Sequence, residues 1–389
     1  MKILMINVVC GIRSTGRICT DLAEALERQG HTVKIAYGRE NVPERYEKFA
    51  VRVGTEAGVK FSALQARLLD NAGFGNAGAT EKFVQWIRKF DPDIIHLHVI
   101  HGYWLNVEVL FTYLRTCGKK IIWTMHDCWA FTGHCVHFDY AKCEKWKTRC
   151  EKCPEKKEYP ASILLDSSKT HYLRKKDLFT GIPGLQIVVP SQWLANRVKE
   201  SFLQKYPVSV IRNGIDTSVF RPVSENLRDQ YKLERKKIVL GVATSWRERK
   251  GLSVFPALAE KLGSDYQIIL IGLTPQQIKT LPAGIIGIER TDNVDQLAAF
   301  YTMADVYVNA SFEENYPTTN LEAISCGTPV VTFDSGGSGE SAQLYGAVVP
   351  KGDVQALAEA VFKAEIYSPK QFDFSCSSMI EHYLDTCFS

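Results

Sequence analysis

Two glutamates eight residues apart, Glu314 and Glu322, have the spacing and context of a ligand-binding carboxylate pair. Glu314 follows an apolar run that predicts a strand, and Glu322 lies inside the helix predicted next. Thr318 and Thr319 stand near the start of this helix, where unpaired N–H groups and the positive end of the helix dipole favour a diphosphate. One carboxylate could then bind sugar hydroxyls and the other ribose hydroxyls. An isolated pair of glutamates is, however, more often a solvated loop residue and a surface helix residue, so the residues alone leave both interpretations open.

Three basic residues in the second half could neutralise the same diphosphate. Lys250 is predicted to open the first helix of this half, with Arg247 and Arg249 beside it. Lysine and arginine bind phosphate oxygens and stabilise the negative charge that develops on a departing diphosphate. The alternative is a surface charge cluster without a ligand.

The first half supplies glycine and histidine at strand ends. Gly11 and Gly16 flank the first predicted β-to-α turn, where a residue without Cβ lets the backbone approach a phosphate or a sugar ring. His126 follows an apolar strand and precedes Asp127. A plain tight turn would also use these glycines, and a single histidine at a strand end is more often structural.

The elements that carry these residues alternate between strand and helix twice along the chain. An apolar run at residues 3–10 precedes a helix predicted over 17–29 and a strand over 31–37, and the alternation continues through the first half. After a turn at residues 213–216, a second series begins with a strand over 238–244. This βαβ order requires parallel sheets with helices packed on their faces. The sequence therefore predicts an α/β fold of two doubly wound units.

Length and composition exclude several classes of protein. A chain of 389 residues with 45% hydrophobic and 23% charged residues is long enough for two domains and is not disordered. The net charge of +4 is small and no nucleic-acid-binding motif is present, so no nucleic acid partner is expected. No run reaches the ~18 apolar residues of a spanning helix, and the first run lacks a cleavage pattern. The sequence predicts a cytoplasmic protein.

Residues 128–176 interrupt the alternation and are predicted to form an ordered insertion or a lid. Four clustered cysteines that end in a C-x-x-C pair could close a tetrahedral zinc site; these are Cys135, Cys143, Cys150 and Cys153. Such a site would order a lysine-rich segment that is expected to have too few apolar residues for its own core. Reduced thiols without metal, and disulfides, remain alternatives. The many lysines are either a solvated face or a contact with anionic lipid headgroups.

The segment SFEENYPTTNLEAISCGTPVV, residues 311–331, resembles the E-x7-E motif of retaining glycosyltransferases of family 4. The likeness covers nearly the whole chain, and the ordered set of motifs is more specific than any member. The further segments that resemble this family, in the same order, are STGRI (14–18), DIIHLH (93–98), WTMHD (123–127), VPSQW (189–193), IRNGID (211–216), RKG (249–251), ADVYVNAS (304–311) and GGSGE (336–340).

The resemblance implies the GT-B fold, in which two Rossmann-like domains face each other across a cleft. It implies an acceptor-side domain over 1–211, a nucleotide-sugar domain over 212–370, and a segment over 371–389 that returns to the first domain. The family places an arginine before the lysine where this chain has Thr244 and Ser245, so Arg247 or Arg249 would take its place. The implied catalytic residues are His126, Lys250 and Glu314, and the implied donor-binding residues are Gly16, Arg247, Arg249, Thr318, Thr319 and Glu322.

The implied reaction transfers a sugar from a UDP- or GDP-sugar to a glycan or lipid-linked acceptor, with retention of configuration, in bacterial polysaccharide biosynthesis. No carboxylate can be nominated as a covalent nucleophile, so same-face attack assisted by the departing phosphate is expected. No metal is required for catalysis, and peripheral contact with the anionic inner face of the cell membrane is a further expectation. Two alternatives remain open: a nucleotide-sugar epimerase, which needs no acceptor, and a catalytically silent scaffold that binds a partner through its cysteine-rich loop.

Overall fold

The computed structural model describes residues 1–224, 227–233 and 235–388, which form two compact units. Residues 1–211, together with the chain from His382 onward, form the first unit, and residues 212–381 form the second. The return to the first unit thus begins eleven residues later than the predicted position 371. The cause is a pairing inside the second unit, where the Ile215 amide donates to the Phe374 carbonyl and the Cys376 amide to the Ile215 carbonyl. Ser389, the last residue of the predicted segment, lies outside the described residues.

The first unit is a parallel sheet of seven strands in the order β3-β2-β1-β4-β5-β6-β7. The strands are near-continuous apolar runs, as expected for a parallel sheet covered on both faces. They are β1 (Lys2–Ile6), β2 (Thr32–Tyr37), β3 (Ala50–Arg52), β4 (Ile94–Leu97), β5 (Lys120–Thr124), β6 (Leu185–Val189) and β7 (Val208–Val210). The helices are α1 (Arg13–Arg28), α2 (Glu56–Leu69), α3 (Ala77–Phe90), α4 (Val107–Leu114), α5 (Ser168–Phe179) and α6 (Gln192–Glu200).

The second unit is a parallel sheet of six strands in the order β10-β9-β8-β11-β12-β13. The strands are β8 (Lys237–Val242), β9 (Tyr266–Ile271), β10 (Ile285–Ile288), β11 (Val306–Asn309), β12 (Val330–Phe333) and β13 (Gly346–Val349). The helices are α7 (Leu227–Gln230), α8 (Val254–Leu262), α9 (Pro275–Lys279), α10 (Val294–Met303), α11 (Thr318–Ser325), α12 (Ser338–Ala342), α13 (Val354–Phe362) and α14 (Cys376–Tyr383), which leads into a π-helical turn at Leu384–Phe388.

Each sheet contains one place where ligands are expected to bind. The loops that leave two adjacent parallel strands diverge where the strand order reverses, and a crevice opens between them. In the first sheet this place lies between β1 and β4, and in the second between β8 and β11. The second place is therefore bounded by the loops that carry Lys250 and Glu314.

The cysteine-rich insertion is ordered and has an apolar core, contrary to the expectation that it lacks one. Phe131, Phe138 and Trp146 are buried, and the Phe138 and Trp146 rings stack with centroids 4.6 Å apart. Lys175 on α5 donates hydrogen bonds to the carbonyls of Trp129 and Thr132, at 2.8 and 3.1 Å. These contacts join the first residues of the insertion to α5, which ends it. Phe131, Phe138 and Trp146 are spread over 16 positions of the sequence, so no local run revealed that they form a cluster.

Within residues 1–224, 227–233 and 235–388, no helix has both the length and the apolar character needed to cross a membrane.

Candidate active site

The loops after β8 and β11 bring Lys250 and Glu314 into direct contact. Lys250 ends a 3-10 turn at Glu248–Lys250, and α8 begins at Val254, so this lysine does not open a helix as the sequence predicted. Its Nζ lies 2.5 Å from Oε1 of Glu314. The Glu314 side chain is 13% exposed and the Lys250 side chain 36%. The ion pair therefore lies at the crevice of the second sheet and remains accessible to a ligand.

Two glycines shape the backbone that presents this pair. Gly251 has a φ of +76°, and a Cβ built on it would lie 2.0 Å from the Ala310 carbonyl oxygen. Gly336 has a φ of +57°, and its Cβ would lie 1.7 Å from the Glu314 carbonyl oxygen. Both conformations favour glycine. A larger residue at either position would displace the loop that carries Glu314.

A second, more buried ion pair ties the same loops together. Nη1 of Arg249 lies 3.2 Å from Oε2 of Glu313, whose side chain is 2% exposed. The Phe312 amide also donates to the Arg249 carbonyl at 2.8 Å. A buried carboxylate needs such a partner, because an uncompensated charge is costly inside a protein. Arg249 thus positions the loops, while Arg247 is the more exposed arginine. The sequence analysis missed Glu313, which had no signal besides its position next to Glu314.

Glu322 is buried, so the alternative of a solvated surface glutamate is wrong. It lies one turn inside α11 and is 7% exposed, and its Oε2 accepts a hydrogen bond from the Tyr301 hydroxyl at 3.0 Å. Burial, together with the neighbouring Glu322 carboxylate, raises the pKa of Tyr301 well above its usual value. The Tyr301 hydroxyl therefore keeps its proton and donates a hydrogen bond to Glu322. Thr318 and Thr319 are half-buried in the first turn of the same helix.

A buried polar network holds α11 and α12 against the strand ends. The Asn320 side chain accepts from Asn309 Nδ2 at 3.0 Å and donates to the hydroxyls of Ser338 and Ser341, at 3.2 and 3.0 Å. The Thr332 hydroxyl is 2.8 Å from that of Ser338. Such a network is favourable when its groups are satisfied, and it fixes one geometry. The sequence analysis missed it, although polar residues inside apolar segments were a visible signal.

In the first unit, His126 lies after β5 beside a buried histidine pair. Its Nε2 is 3.2 Å from Nδ1 of His98, whose ring lies 4.1 Å from that of His96 between centroids, at an interplanar angle of 38°. Burial lowers the pKa of His126 to about 4. His126 is therefore neutral at physiological pH and can donate or accept a hydrogen bond without adding charge. Gly16 lies near the start of α1, where its carbonyl accepts from the Gly11 amide at 3.2 Å.

Buried His96 makes the stability of the first unit sensitive to acid. Burial lowers the pKa of His96 from 6.5 to about 3. Between pH 6.5 and pH 3, His96 is therefore protonated in the unfolded chain and neutral in the folded chain. The contribution to stability is complete above pH 6.5 and is lost as the pH falls towards 3. We expect the free energy of unfolding to fall by about 2 kcal/mol between pH 7 and pH 5 through this residue.

Urea unfolding followed by tryptophan fluorescence measures this change, because six of the seven tryptophans lie in residues 1–211. The His96→Gln variant should lose about 2 kcal/mol of the pH dependence. An unchanged pH dependence in that variant would rule out His96 as its source.

The four clustered cysteines line one cavity of the first unit, together with Phe138 and Trp146. All the cysteines of the chain are free thiols in this structure. A hydrogen bond with Cys135 lowers the pKa of Cys153 to about 7, and burial raises that of Cys150 to about 12. Among the described residues, no set of three or more His, Cys, Asp or Glu side chains is arranged so that it could hold a metal ion.

Comparison with known proteins assigns the chain to a family. The model of Glycosyltransferase Family 4 matches residues 15–219, more than half of the chain, and the model of Glycosyl transferases group 1 matches residues 236–364. The chain belongs to glycosyltransferase family 4, and with its two parallel Rossmann-like sheets it is a glycosyltransferase of the GT-B fold. The sequence prediction of fold class and enzyme class is confirmed.

Particular relatives cover the chain to different extents. The Escherichia coli protein WcaC is 27% identical to this chain over 99% of both chains. Its name provisionally describes a glycosyl transferase of colanic acid biosynthesis. Sucrose-phosphate synthase from Thermosynechococcus elongatus superposes with a TM-score of 0.67 at 18% identity, over 99% of this chain and 94% of that one. Anabaena HepE in complex with UDP-glucose gives a TM-score of 0.65 at 15% identity, over 99% of both chains. The structural likeness concerns the fold.

Proposed function

We propose that the enzyme transfers a sugar from a nucleotide-sugar donor and that residues 212–381 bind the donor diphosphate beside Lys250. The contact between Lys250 and Glu314, at the place where the second sheet is expected to bind ligands, supports this proposal. Without donor, the ammonium group is paired with a carboxylate. A diphosphate carries more negative charge and would take over the lysine. Glu314 would then be released to bind hydroxyls of the transferred sugar.

Catalysis in this proposal consists mainly of charge stabilisation. Negative charge collects on the diphosphate as its bond to the anomeric carbon breaks, and Lys250 and Arg247 neutralise it. The start of α11, with Thr318 and Thr319, supplies backbone amides at the positive end of the helix dipole. The acceptor hydroxyl oxygen forms the new bond on the same face, and its proton passes to the departing phosphate oxygen. No metal ion takes part in this step.

The remaining assignments follow the family resemblance. Glu322 would bind ribose hydroxyls, and its burial beside Tyr301 gives it a fixed orientation. Arg249 would support the diphosphate site through its pair with Glu313. His126, neutral by burial, would contact the transferred sugar, and Gly16 would allow close approach of the backbone to the ligand.

We infer that the acceptor is a glycan or a lipid-linked saccharide in bacterial polysaccharide biosynthesis, at the cytoplasmic face of an anionic membrane. The full-length similarity to the E. coli protein named for colanic acid supports this inference. A Bacillus subtilis glycosyltransferase, TuaC, whose name provisionally cites teichuronic acid biosynthesis, is 28% identical over 44% of this chain and 46% of its own. The complex of Anabaena HepE with UDP-glucose favours a UDP-sugar over a GDP-sugar as donor.

A screen of UDP-, GDP- and ADP-sugars tests the proposal. A ligand that binds the native state raises its apparent stability. The sugars of one nucleotide, and not of the other two, should therefore raise the midpoint temperature of thermal unfolding. That donor should be consumed when an acceptor saccharide is added, and an α-linked donor should give an α-linked product. Conversion of the donor without acceptor would identify an epimerase instead. If no nucleotide sugar binds, the scaffold alternative replaces the proposal, and a β-linked product would refute retention.

We also propose that the cysteine cluster holds a structural zinc ion. Four thiols on one cavity wall supply the soft ligand set that zinc prefers, and the C-x-x-C pair has the spacing of structural sites. Cys135 and Cys153 are turned towards each other in a hydrogen bond, so metal binding requires the cysteine side chains to rotate into the cavity they share and to bind as thiolates. The apolar core around Trp146 would then be closed by the metal.

Elemental analysis of protein purified without chelator should give about one zinc per chain. Cys143→Ser and Cys150→Ser should each remove most of it, and Cys117→Ser, which lies outside the cluster, should not. Cobalt-loaded wild-type protein gives a second readout that does not depend on the folding of the variants, because tetrahedral thiolate ligation has a characteristic absorption. Four titratable thiols without metal, or a mass lowered by disulfide formation, would refute the proposal.

A further inference from the structure

Helix α2 turns its large apolar side chains to solvent and its small ones to the core. Val59, Ser62 and Ala66 form its buried face. Phe61 and Leu64, on the opposite face, are 61% and 54% exposed. A surface helix of a globular protein normally buries its apolar stripe. The orientation of α2 is therefore not explained by the core of the first unit.

A loop of the insertion extends this apolar surface. Ile163, Leu164 and Leu165 are 66%, 64% and 50% exposed. The Ile163 amide donates to the Arg67 carbonyl at 2.7 Å, and the Leu165 amide donates to the Leu68 carbonyl at 3.3 Å. These two hydrogen bonds join the loop to the last turn of α2.

Side-chain hydrogen bonds fix the loop in the same place. The Ser162 hydroxyl donates to the Leu165 carbonyl at 2.7 Å, and Nζ of Lys156 donates to the Leu164 carbonyl at 3.3 Å. The Ser167 amide donates to Oδ2 of Asp70, directly after α2, at 2.7 Å. The leucines are thus held outward by a tethered backbone.

The two segments together form one apolar surface, which we name the α2–loop surface. It contains seven of the fourteen large apolar side chains that are exposed in the described part of the chain. A cluster of this kind is a mark of an interaction site, because monomeric soluble proteins rarely expose large contiguous apolar patches. Its members are Phe61, Leu64, Leu68, Leu69, Ile163, Leu164 and Leu165.

Charge distinguishes among the partners that such a surface could have. The first unit contains 31 Lys and Arg against 22 Asp and Glu, a net charge of +9, whereas residues 212–381 contain 16 against 21, a net charge of −5. Residues 128–176, which supply the loop, contain 11 cations against 6 acids. An anionic lipid surface attracts a unit of this net charge, whereas the first unit of a second copy carries the same net positive charge and would be repelled.

We propose that the α2–loop surface docks on an anionic lipid bilayer, with its apolar side chains among the lipid headgroups and acyl chains and with lysines and arginines of the positively charged first unit on the phosphates. Apolar side chains next to basic ones are the composition of interfacial membrane contacts. This inference rests on the proposed function, because docking would bring the first unit to a lipid-linked acceptor. The α2–loop surface is the part of the chain that would contact the membrane.

Flotation of the full-length protein with vesicles tests the inference, using phosphatidylcholine alone and phosphatidylcholine mixed with phosphatidylglycerol. We expect binding to the anionic vesicles and its loss at high salt. Leu164→Glu and Phe61→Glu should each weaken binding about tenfold, because each puts a charge in place of apolar area that the bilayer would bury. Both side chains are exposed, so the variants should fold. Ile366→Glu is the matched control, since Ile366 is 75% exposed and belongs to the second unit.

The possible outcomes separate the inference from the proposed function. Transfer to a water-soluble acceptor should be equal in wild type, Leu164→Glu and Phe61→Glu, so failure of the chemistry would show independently of vesicle binding. The inference would be overturned if the wild-type protein did not bind anionic vesicles, or if the surface variants bound them as well as wild type. A dimer detected by light scattering and dissociated by Leu164→Glu would also overturn it, because the surface would then be a dimer interface.

Discussion

Lys250→Ala is expected to lower kcat/KM for sugar transfer by about 100- to 1000-fold, with most of the loss in kcat. The Lys250 ammonium is assigned to the charge that develops on the diphosphate, so its contribution should be largest in the transition state. Steady-state kinetics with the donor found by the nucleotide-sugar screen measures this split between kcat and KM.

The matched control for this prediction is Lys261→Ala, which removes another lysine of the second unit. Lys261 lies at the end of α8 and donates to Gln355 Oε1 at 2.8 Å. Its variant should retain wild-type kinetics. A Lys250→Ala variant with an unchanged kcat would show that this lysine does not stabilise the leaving group.

Glu314→Gln is expected to lower kcat/KM by about 10- to 100-fold while leaving the affinity for the free nucleoside diphosphate equal or tighter. The substitution keeps the shape and one oxygen of the side chain but weakens its hydrogen bonds to sugar hydroxyls, since bonds to a charged group contribute about 1.5–3 kcal/mol. It also removes the carboxylate that competes with the diphosphate for Lys250. Turnover should therefore fall without any loss of affinity for the free nucleoside diphosphate.

Glu359→Gln provides the isosteric control, because Glu359 lies on α13 and accepts a hydrogen bond from Gln355. The double variant Lys250→Ala, Glu314→Gln should lose less than the product of the two single losses, as expected for residues in contact. Equal weakening of turnover and of diphosphate binding by Glu314→Gln would contradict the assignment of this residue to the sugar.

The fold class could be predicted from the sequence because the pattern of strand followed by helix is repeated along the chain. Each buried parallel strand is an apolar run, and each is followed by helical periodicity, so the alternation survives errors of a few residues at individual boundaries. The boundary errors had local causes. After Lys250, Gly251 adopts a left-handed conformation, so the helix begins only at Val254. The spacing of apolar residues alone does not reveal this later start.

Contacts between distant segments were the part that the sequence could not predict. The pairing of Lys250 with Glu314 follows from the strand order, which places β8 beside β11, and the sequence does not state that order. The Asn320 network and the Arg249–Glu313 pair have the same origin. The outward face of α2 was hidden for another reason, since both of its faces have helical spacing and only the tertiary structure decides which one is covered.

The central assignment is tested most directly by comparing nucleoside diphosphate and monophosphate affinities in wild type, Lys250→Ala and Lys261→Ala by calorimetry. The wild type and Lys261→Ala should bind the diphosphate at least about tenfold tighter than the monophosphate, because a charge-assisted hydrogen bond to the second phosphate contributes at least about 1.4 kcal/mol. Lys250→Ala should lose most of that preference while binding the monophosphate as before. A preference for diphosphate that survives in Lys250→Ala would contradict the account and place the second phosphate elsewhere.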